Sequence, residues 1–141
     1  MSENDPYRAY NFRLEVSGLE VGAFTEVTGL GVKVEPIQFR EGGDPQSVRH
    51  IPGPVEYGPI TLRYGLTDSR DLWDWLMQTV EGRIERRNAS IILLNTVGEQ
   101  AMRWNLFDAW PSGWEGVPLD ALSREIAIES LTLVFDRIER D

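Results

Sequence analysis

The sequence predicts a mainly β fold: an antiparallel β-sandwich or half-open barrel of about seven strands with one flanking α-helix. Three observations carry this. Short runs of alternating apolar and polar residues recur along the chain, separated by Gly, Pro and Asn turn signals. Only residues 67–82 have a clear helical period. Three of the strands change phase midway, as strands do when they bend at a bulge and pass between steeply packed sheets.

Residues 1–7 read as a short polar arm. In the first strand Tyr10, Phe12, Leu14 and Val16 share one face, and Arg13 and Glu15 the other. Ser17-Gly18 is a turn signal. The second strand, Leu19 to Thr28, places Val21, Ala23, Thr25 and Val27 on one face, with Phe24 opposite among polar residues. Gly29-Leu30-Gly31 closes that hairpin. The third strand, Val32 to Arg40, slips by one residue: Val32 and Val34 are in step, Ile37 and Phe39 are in step, and Pro36 stands between the pairs.

Residues 41–59 hold four glycines, four prolines and His50, the chain's single histidine. They read as one long connection, a kind of segment that usually interacts. Val48, Ile51, Val55 and Tyr57 are apolar within it, so it is expected to lie on another surface. Ile60, Leu62 and Tyr64 then form a fourth strand leading to the helix.

In the helix one of Thr67, Asp68 and Ser69 is expected to be the N-cap, and Gly82 the left-handed C-terminal residue. Leu72, Trp75, Leu76, Thr79 and Val80 make the apolar face. Trp73 and Met77 widen it to roughly half the circumference, against about 100° for a helix on one sheet. These two residues either lie along the chain's own sheet or meet a second subunit.

Ala89 to Leu94 is a continuous apolar run and reads as a central strand buried on both faces. Gly98 tips the next hairpin. Met102, Trp104 and Leu106 alternate, and then Phe107 and Ala109 break step. Residues 110–118 read as loop. Trp104, Trp110 and Trp114, with Phe107, read as an aromatic lid on the core or an exposed docking patch. A last strand, 122–138, slips between Ile128 and Leu131.

At 141 residues the chain fits one domain, 1–141, with a sizeable core. A net charge of −9 argues against nonspecific binding to nucleic acid or anionic lipid. No cysteine is present, which excludes disulfides, thiolate nucleophiles and zinc–thiolate sites. The acidic start, Met1 to Pro6, is not a secretory signal peptide, and no apolar run is long enough to span a membrane. His50 has no nucleophile elbow to serve. Neither Glu41-Gly42-Gly43-Asp44 nor Gly29-Leu30-Gly31 completes a calcium or dinucleotide loop. We expect no enzyme activity, no catalytic or metal residues and no cofactor.

The run Gly65 to Trp75 resembles the start of the helix in tail-tube proteins of contractile injection systems and contractile-tailed phages. The likeness extends to Asp5-Pro6-Tyr7, Phe12 to Val16, Phe24 to Leu30, Arg40 to Gly43, Pro52-Gly53, Arg86 to Ile91, Trp104 to Pro111 and Ile126 to Leu131, in the same order. It implies a structural subunit of a rigid inner tube. Six copies would form a ring, with strands joining between subunits into a ring-shaped barrel and the helix outside its wall. Rings would stack into a hollow tube driven by a contracting sheath. The implied partners are copies of the chain itself, the sheath protein, baseplate or spike and tube-terminating proteins, and a protein payload in the lumen. Assembly would be cytoplasmic, in a phage-tail-like particle that is released from some cells.

On this reading the expected subunit interface comprises Glu41, Asp44, Val48, Arg49, Ile51, Val55, Tyr57, Trp73 and Met77. The expected lumen residues are Arg13, Glu15, Glu26, Lys33 and Glu35. The alternatives are a tube-initiating or baseplate-proximal paralogue, a monomeric ligand-binding β-barrel, or an enzyme working with carboxylates alone.

Overall fold

A computed structural model describes residues 11–40, 48–67, 70–116 and 126–141. The expected arm, 1–7, lies outside the described residues. The elements are β1 (Phe12–Val16), β2 (Leu19–Phe24), β3 (Glu26–Thr28), β4 (Val32–Arg40), β5 (Val48–Tyr57), β6 (Ile60–Thr67), α1 (Asp71–Val80), β7 (Arg87–Leu94), β8 (Gln100–Gly116), β9 (Ile126–Val134) and β10 (Arg137–Arg140). All pairings are antiparallel. Six strands close on themselves in the order β8-β7-β1-β2-β6-β9 and back to β8. Short β3 and β10 add to the rims of β6 and β8, while β4 and β5 form a separate two-stranded ribbon. The expected β-barrel with one helix is therefore present.

Local chemistry explains the closure. Ser17 and Gly18 both have positive φ, 54° and 82°, the geometry of a tight hairpin turn whose twist matches its strands. The side-chain oxygen of Asn95 accepts from the N–H groups of Val97 (3.0 Å) and Glu99 (2.9 Å), holding the β7–β8 turn. Leu14, Phe24, Ile60, Leu62, Ile91, Leu106, Leu131 and Leu133 fill the interior, each at most 1% exposed. Ala89 to Ile92 are all buried, as expected of a strand paired on both sides to β1 and β8.

The phase slips fall at bulges. From Leu106 to Ala109 β8 takes three steps against two of β7, with Asp108 in the left-handed region at φ 57°. The β9 slip falls where Glu115↔Ser130 is followed by Gly116↔Ile128. The ribbon slips between Val34 and Pro36.

Residues 48–57 are not loop but strand β5. Pro52 and Pro54 are tolerated because the ribbon has open edges and a bulge, so their missing N–H groups break no second ladder. Residues 110–116 continue β8, which is 17 residues long and passes from β7 to β9. Proline at 111 sits beside a register irregularity, where a lost donor is cheap. The stretch read as one strand over 19–28 breaks at Thr25, and the last strand is two, β9 and β10. Phe24 is wholly buried rather than facing polar neighbours. The bulge in β2, where Leu14↔Gly22 is followed by Glu15↔Glu20, resets the alternation so that both Val21 and Phe24 turn inward. Tyr64, expected in step with Leu62, is exposed because its backbone takes φ 54°.

Helix α1 packs on β8 and β2 and adds Leu72 and Trp75 to the barrel's core. The Trp75 indole N–H donates to the Glu85 carbonyl at 2.6 Å, satisfying the one polar group of a fully buried side chain. The N-cap is Arg70, with no side-chain bond to the first turn. Thr67 instead ends β6, where its hydroxyl donates to the Val21 carbonyl. Asp68 and Ser69 lie outside the described residues. Gly82 does take the left-handed turn, φ 85°, with Gly82 N–H on Thr79 O and Arg83 N–H on Gln78 O. No described helix is long and apolar enough to cross a membrane.

Candidate assembly interface

Among the described residues, β4–β5 is the strand pair whose side chains, Tyr57 apart, lack a core. Its register runs Val32↔Tyr57, Val34↔Val55, Ile37↔Ile51, Phe39↔Arg49 and Arg40↔Val48. Val32, Val34, Ile37, Phe39, Ile51 and Val55 are each 43–57% exposed. Alternation of β-branched and aromatic residues stabilises the strand pairing. In a soluble domain the same alternation normally buries one face, and here neither face is buried.

The ribbon's root is fixed. Gly29 has φ 88°, and a side chain there would meet the Pro59 carbonyl oxygen at 2.2 Å. Tyr57 tilts against Phe135 with ring centroids 5.8 Å apart, tying the root to the core. Beside it lies an open cleft of ≈ 620 Å³ between Gly29, Val32, Glu56 and Pro59. Of the expected interface residues, Val48, Arg49, Ile51, Val55 and Tyr57 all lie on β5. Glu41 and Asp44 fall in 41–47, outside the described residues. Val32, Val34, Ile37 and Phe39 were not on the expected interface. The phase slip in their own strand was the signal, because a strand with apolar residues on both faces needs cover on both.

Trp73 and Met77 lie on α1, away from the ribbon, and both are half-buried. Trp73 meets Trp114 of its own chain edge-on, with centroids 5.2 Å apart at 81°. The expected aromatic cluster is thus divided. Trp104 and Trp110 pack on the core, Phe107 lies under the Arg137 guanidinium at 4.2 Å, and Trp114 joins the helix.

A third surface is polar. On the outer face of β1, β7, β8 and β10, Arg103 reaches Glu15 at 2.9 Å and the Ser90 hydroxyl at 3.1 Å. Ser90 donates to the Asn105 side-chain oxygen at 2.7 Å, and the Asn105 amide donates to Asp141 at 3.2 Å. Arg13 pairs with Glu20 at 3.2 Å, and Arg137 with Glu139 at 3.2 Å. Of the residues expected in a lumen, Arg13 and Glu15 stand here on β1. Glu26 stands on β3 opposite Arg63, and Lys33 and Glu35 belong to the ribbon. The sheet therefore does not bring all five together. Among the described residues no group of His, Cys, Asp or Glu has the arrangement to hold a metal ion, and His50 is exposed on β5.

A chain of the PVC sheath–tube complex, an extracellular contractile injection system in its extended state, superposes with TM-score 0.71 at 29% identity, covering 94% of this chain and 88% of that one. A chain of the PVC sheath/tube terminator superposes with TM-score 0.70 at 28% identity, covering 99% of each. One from the anti-feeding prophage tube-terminating cap gives 0.70 at 26%, covering 100% and 94%. Hcp1 from Flavobacterium johnsoniae shares the fold, at TM-score 0.50 and 16% identity. A search of curated protein sequences finds no match. Residues 8–139 match the family model described as T4-like virus tail tube protein gp19, and the chain belongs to that family.

Proposed function

We propose that this chain is the repeating subunit of the rigid inner tube of a contractile injection system. Six copies form a ring, rings stack into a hollow tube, and sheath contraction propels it. The observation that carries this reading is the ribbon: a closed barrel satisfies its own strands, yet the chain extends a two-stranded arm with six exposed apolar side chains. An isolated two-stranded ribbon is marginal in water, so it needs other surfaces to lie on. Val48, Arg49, Ile51, Val55 and Tyr57 form the subunit interface together with β4. The outer edge of α1, with Trp73 and Met77, is a second contact.

The lumen wall in this reading is the polar face of β1, β7, β8 and β10. Arg13 and Glu15 lie on it, each within an ion pair. Glu26 borders a different face, and Lys33 and Glu35 serve the ribbon. The partners are other copies, the sheath, baseplate and terminator proteins, with a protein payload in the lumen. Nothing in this role calls for catalysis or a cofactor. The barrel interior is filled by side chains such as Phe24 and Trp75, which argues against a ligand-binding barrel.

A second reading is a tube-end protein. The terminator and cap chains superpose as well as the sheath–tube chain does, with TM-scores of 0.70, 0.70 and 0.71. Electron microscopy of the purified protein, with mass by light scattering, separates the two. Long hollow tubes with six-fold end views support the repeating subunit. Single rings that never lengthen support an end protein, and a strict monomer at high concentration removes both as self-assembling roles.

A further inference from the structure

The geometry points to a ribbon that is two docking surfaces in series, facing opposite ways and covered by two different copies of this chain. The inference rests on the tube reading and adds how one arm serves it. Between Val34↔Val55 and Pro36↔Pro52, β4 advances two residues while β5 advances three, so the extra residue is on β5. Strand β4 is therefore regular through the bulge, and its side chains keep alternating. Val32 and Val34 lie on one face, with Val55 and Tyr57 opposite them across the pair. Ile37 and Phe39 lie on the other face, with Ile51 opposite Ile37. The apolar surface thus changes sides halfway along the arm.

Gly53 makes the crossover possible. A Cβ at that position would stand 2.6 Å from the Glu35 carbonyl oxygen and 2.9 Å from Ile37 side-chain carbons. With glycine there, the bulge closes and Ile37 lies over it. A ribbon with one apolar face can be covered by one flat partner. A ribbon whose apolar face reverses has to be covered from both sides.

Second copies are the occupants the surface fits. Each half exposes on the order of a few hundred Å² of apolar area, well below the ~800 Å² per partner of a stable pair. One patch on one copy makes a weak contact, and strength comes only where every copy both gives and receives. The polar residues agree: Lys33, Arg40 and Arg49 are interspersed with Glu35 and Glu56. Mixed signs suit a surface that meets its own kind, since a one-sign patch would repel its copy.

The test compares wild type with Val34→Asp, on the proximal half, and Phe39→Asp, on the distal half. Both side chains are exposed, so each variant should unfold at the wild-type temperature, and this is measured first. Wild type is expected to form tubes. The two variants are expected to stall at different species, one as closed rings and the other short of a ring. Stalling at the same species, or tubes from either variant, overturns the inference.

A second measurement does not depend on stalling. The chain has no cysteine, so Val34→Cys or Phe39→Cys carries a single photoactivatable crosslinker, and the peptides captured in tubes are mapped. Two non-overlapping sets are expected, and one shared patch overturns the inference. Wild-type tubes with both variants stalled alike would leave the tube reading standing and remove only the two-surface arm. Failure of wild type to assemble would remove the tube reading and this inference with it.

Discussion

The barrel and the ribbon are built from the same kind of sequence, short alternating strands with Gly and Pro between them, and they end in opposite physical states. In β1, Leu14 and Val16 are buried beneath paired neighbours; in β4, Val32 and Val34 have the same spacing and stand in water. The difference is closure. Each barrel strand has partners on both sides and a common interior, whereas β4 and β5 have only each other. What the contrast teaches is that apolar alternation specifies a face to be covered and leaves open who covers it. In the barrel the chain covers itself, and in the ribbon, on the proposed reading, other copies do.

Substitutions that break this comparison fall in a clear order. Trp75→Ala should have the largest effect, about 3–5 kcal/mol of monomer stability, since a fully buried indole and its bond to Glu85 O are both lost. Denaturant unfolding would read this as a lower midpoint. Gly65→Ala should follow at roughly 1–3 kcal/mol, because its Cβ would sit 2.1 Å from the Phe24 ring in a packed core. Trp73→Ala should cost the monomer only about 0.5–1.5 kcal/mol, the worth of its edge contact with Trp114. A Trp73→Ala loss as large as that of Trp75→Ala would mean that the helix has no second face to offer. Phe39→Asp should leave monomer unfolding within ~0.5 kcal/mol while stopping assembly short of tubes, as sedimentation would show. If it unfolds the monomer instead, the ribbon belongs to the chain's own core and the contrast fails.

Much of the fold was legible in the sequence because period and burial agree there. The Leu14–Val16 face, the doubly covered Ala89 to Ile92 run and the Trp75 helix face follow from spacing alone. The strand bends showed as slips at Asp108 and Ser130, while the slip at Pro36 lies beside a bulge carried by the paired strand β5. Where the reading failed, a local breaker was outweighed by context. Pro52, Gly53 and Pro54 read as loop, yet a free ribbon edge and a bulge accommodate all three. Pro111 and Gly113 read the same way, and β8 ran through them at another irregularity. Phe24 and Tyr64 lie on the opposite side from the one their spacing predicts because a bulge and a left-handed residue reset the alternation, and neither leaves a mark in composition.

Of the candidate site, β5 was half legible. Its apolar residues signalled a surface to be covered, but as a loop they had no register, so their partners Val32, Val34, Ile37 and Phe39 went unnoticed. The expected lumen residues share only polarity, and polarity does not say which of several outward faces a strand presents. That is why Arg13 and Glu15 separate from Glu26, Lys33 and Glu35.

The central claim, that the ribbon's faces are covered by other copies, is tested most directly by amide hydrogen exchange on free subunits and on assembled tubes. An uncovered two-stranded arm opens readily, and the barrel does not. Amides of 32–40 and 48–57 are expected to exchange fast in the free subunit and at least about a hundredfold more slowly in tubes, with barrel amides such as those of β7 nearly unchanged. Equal exchange of the ribbon in both states would contradict the claim.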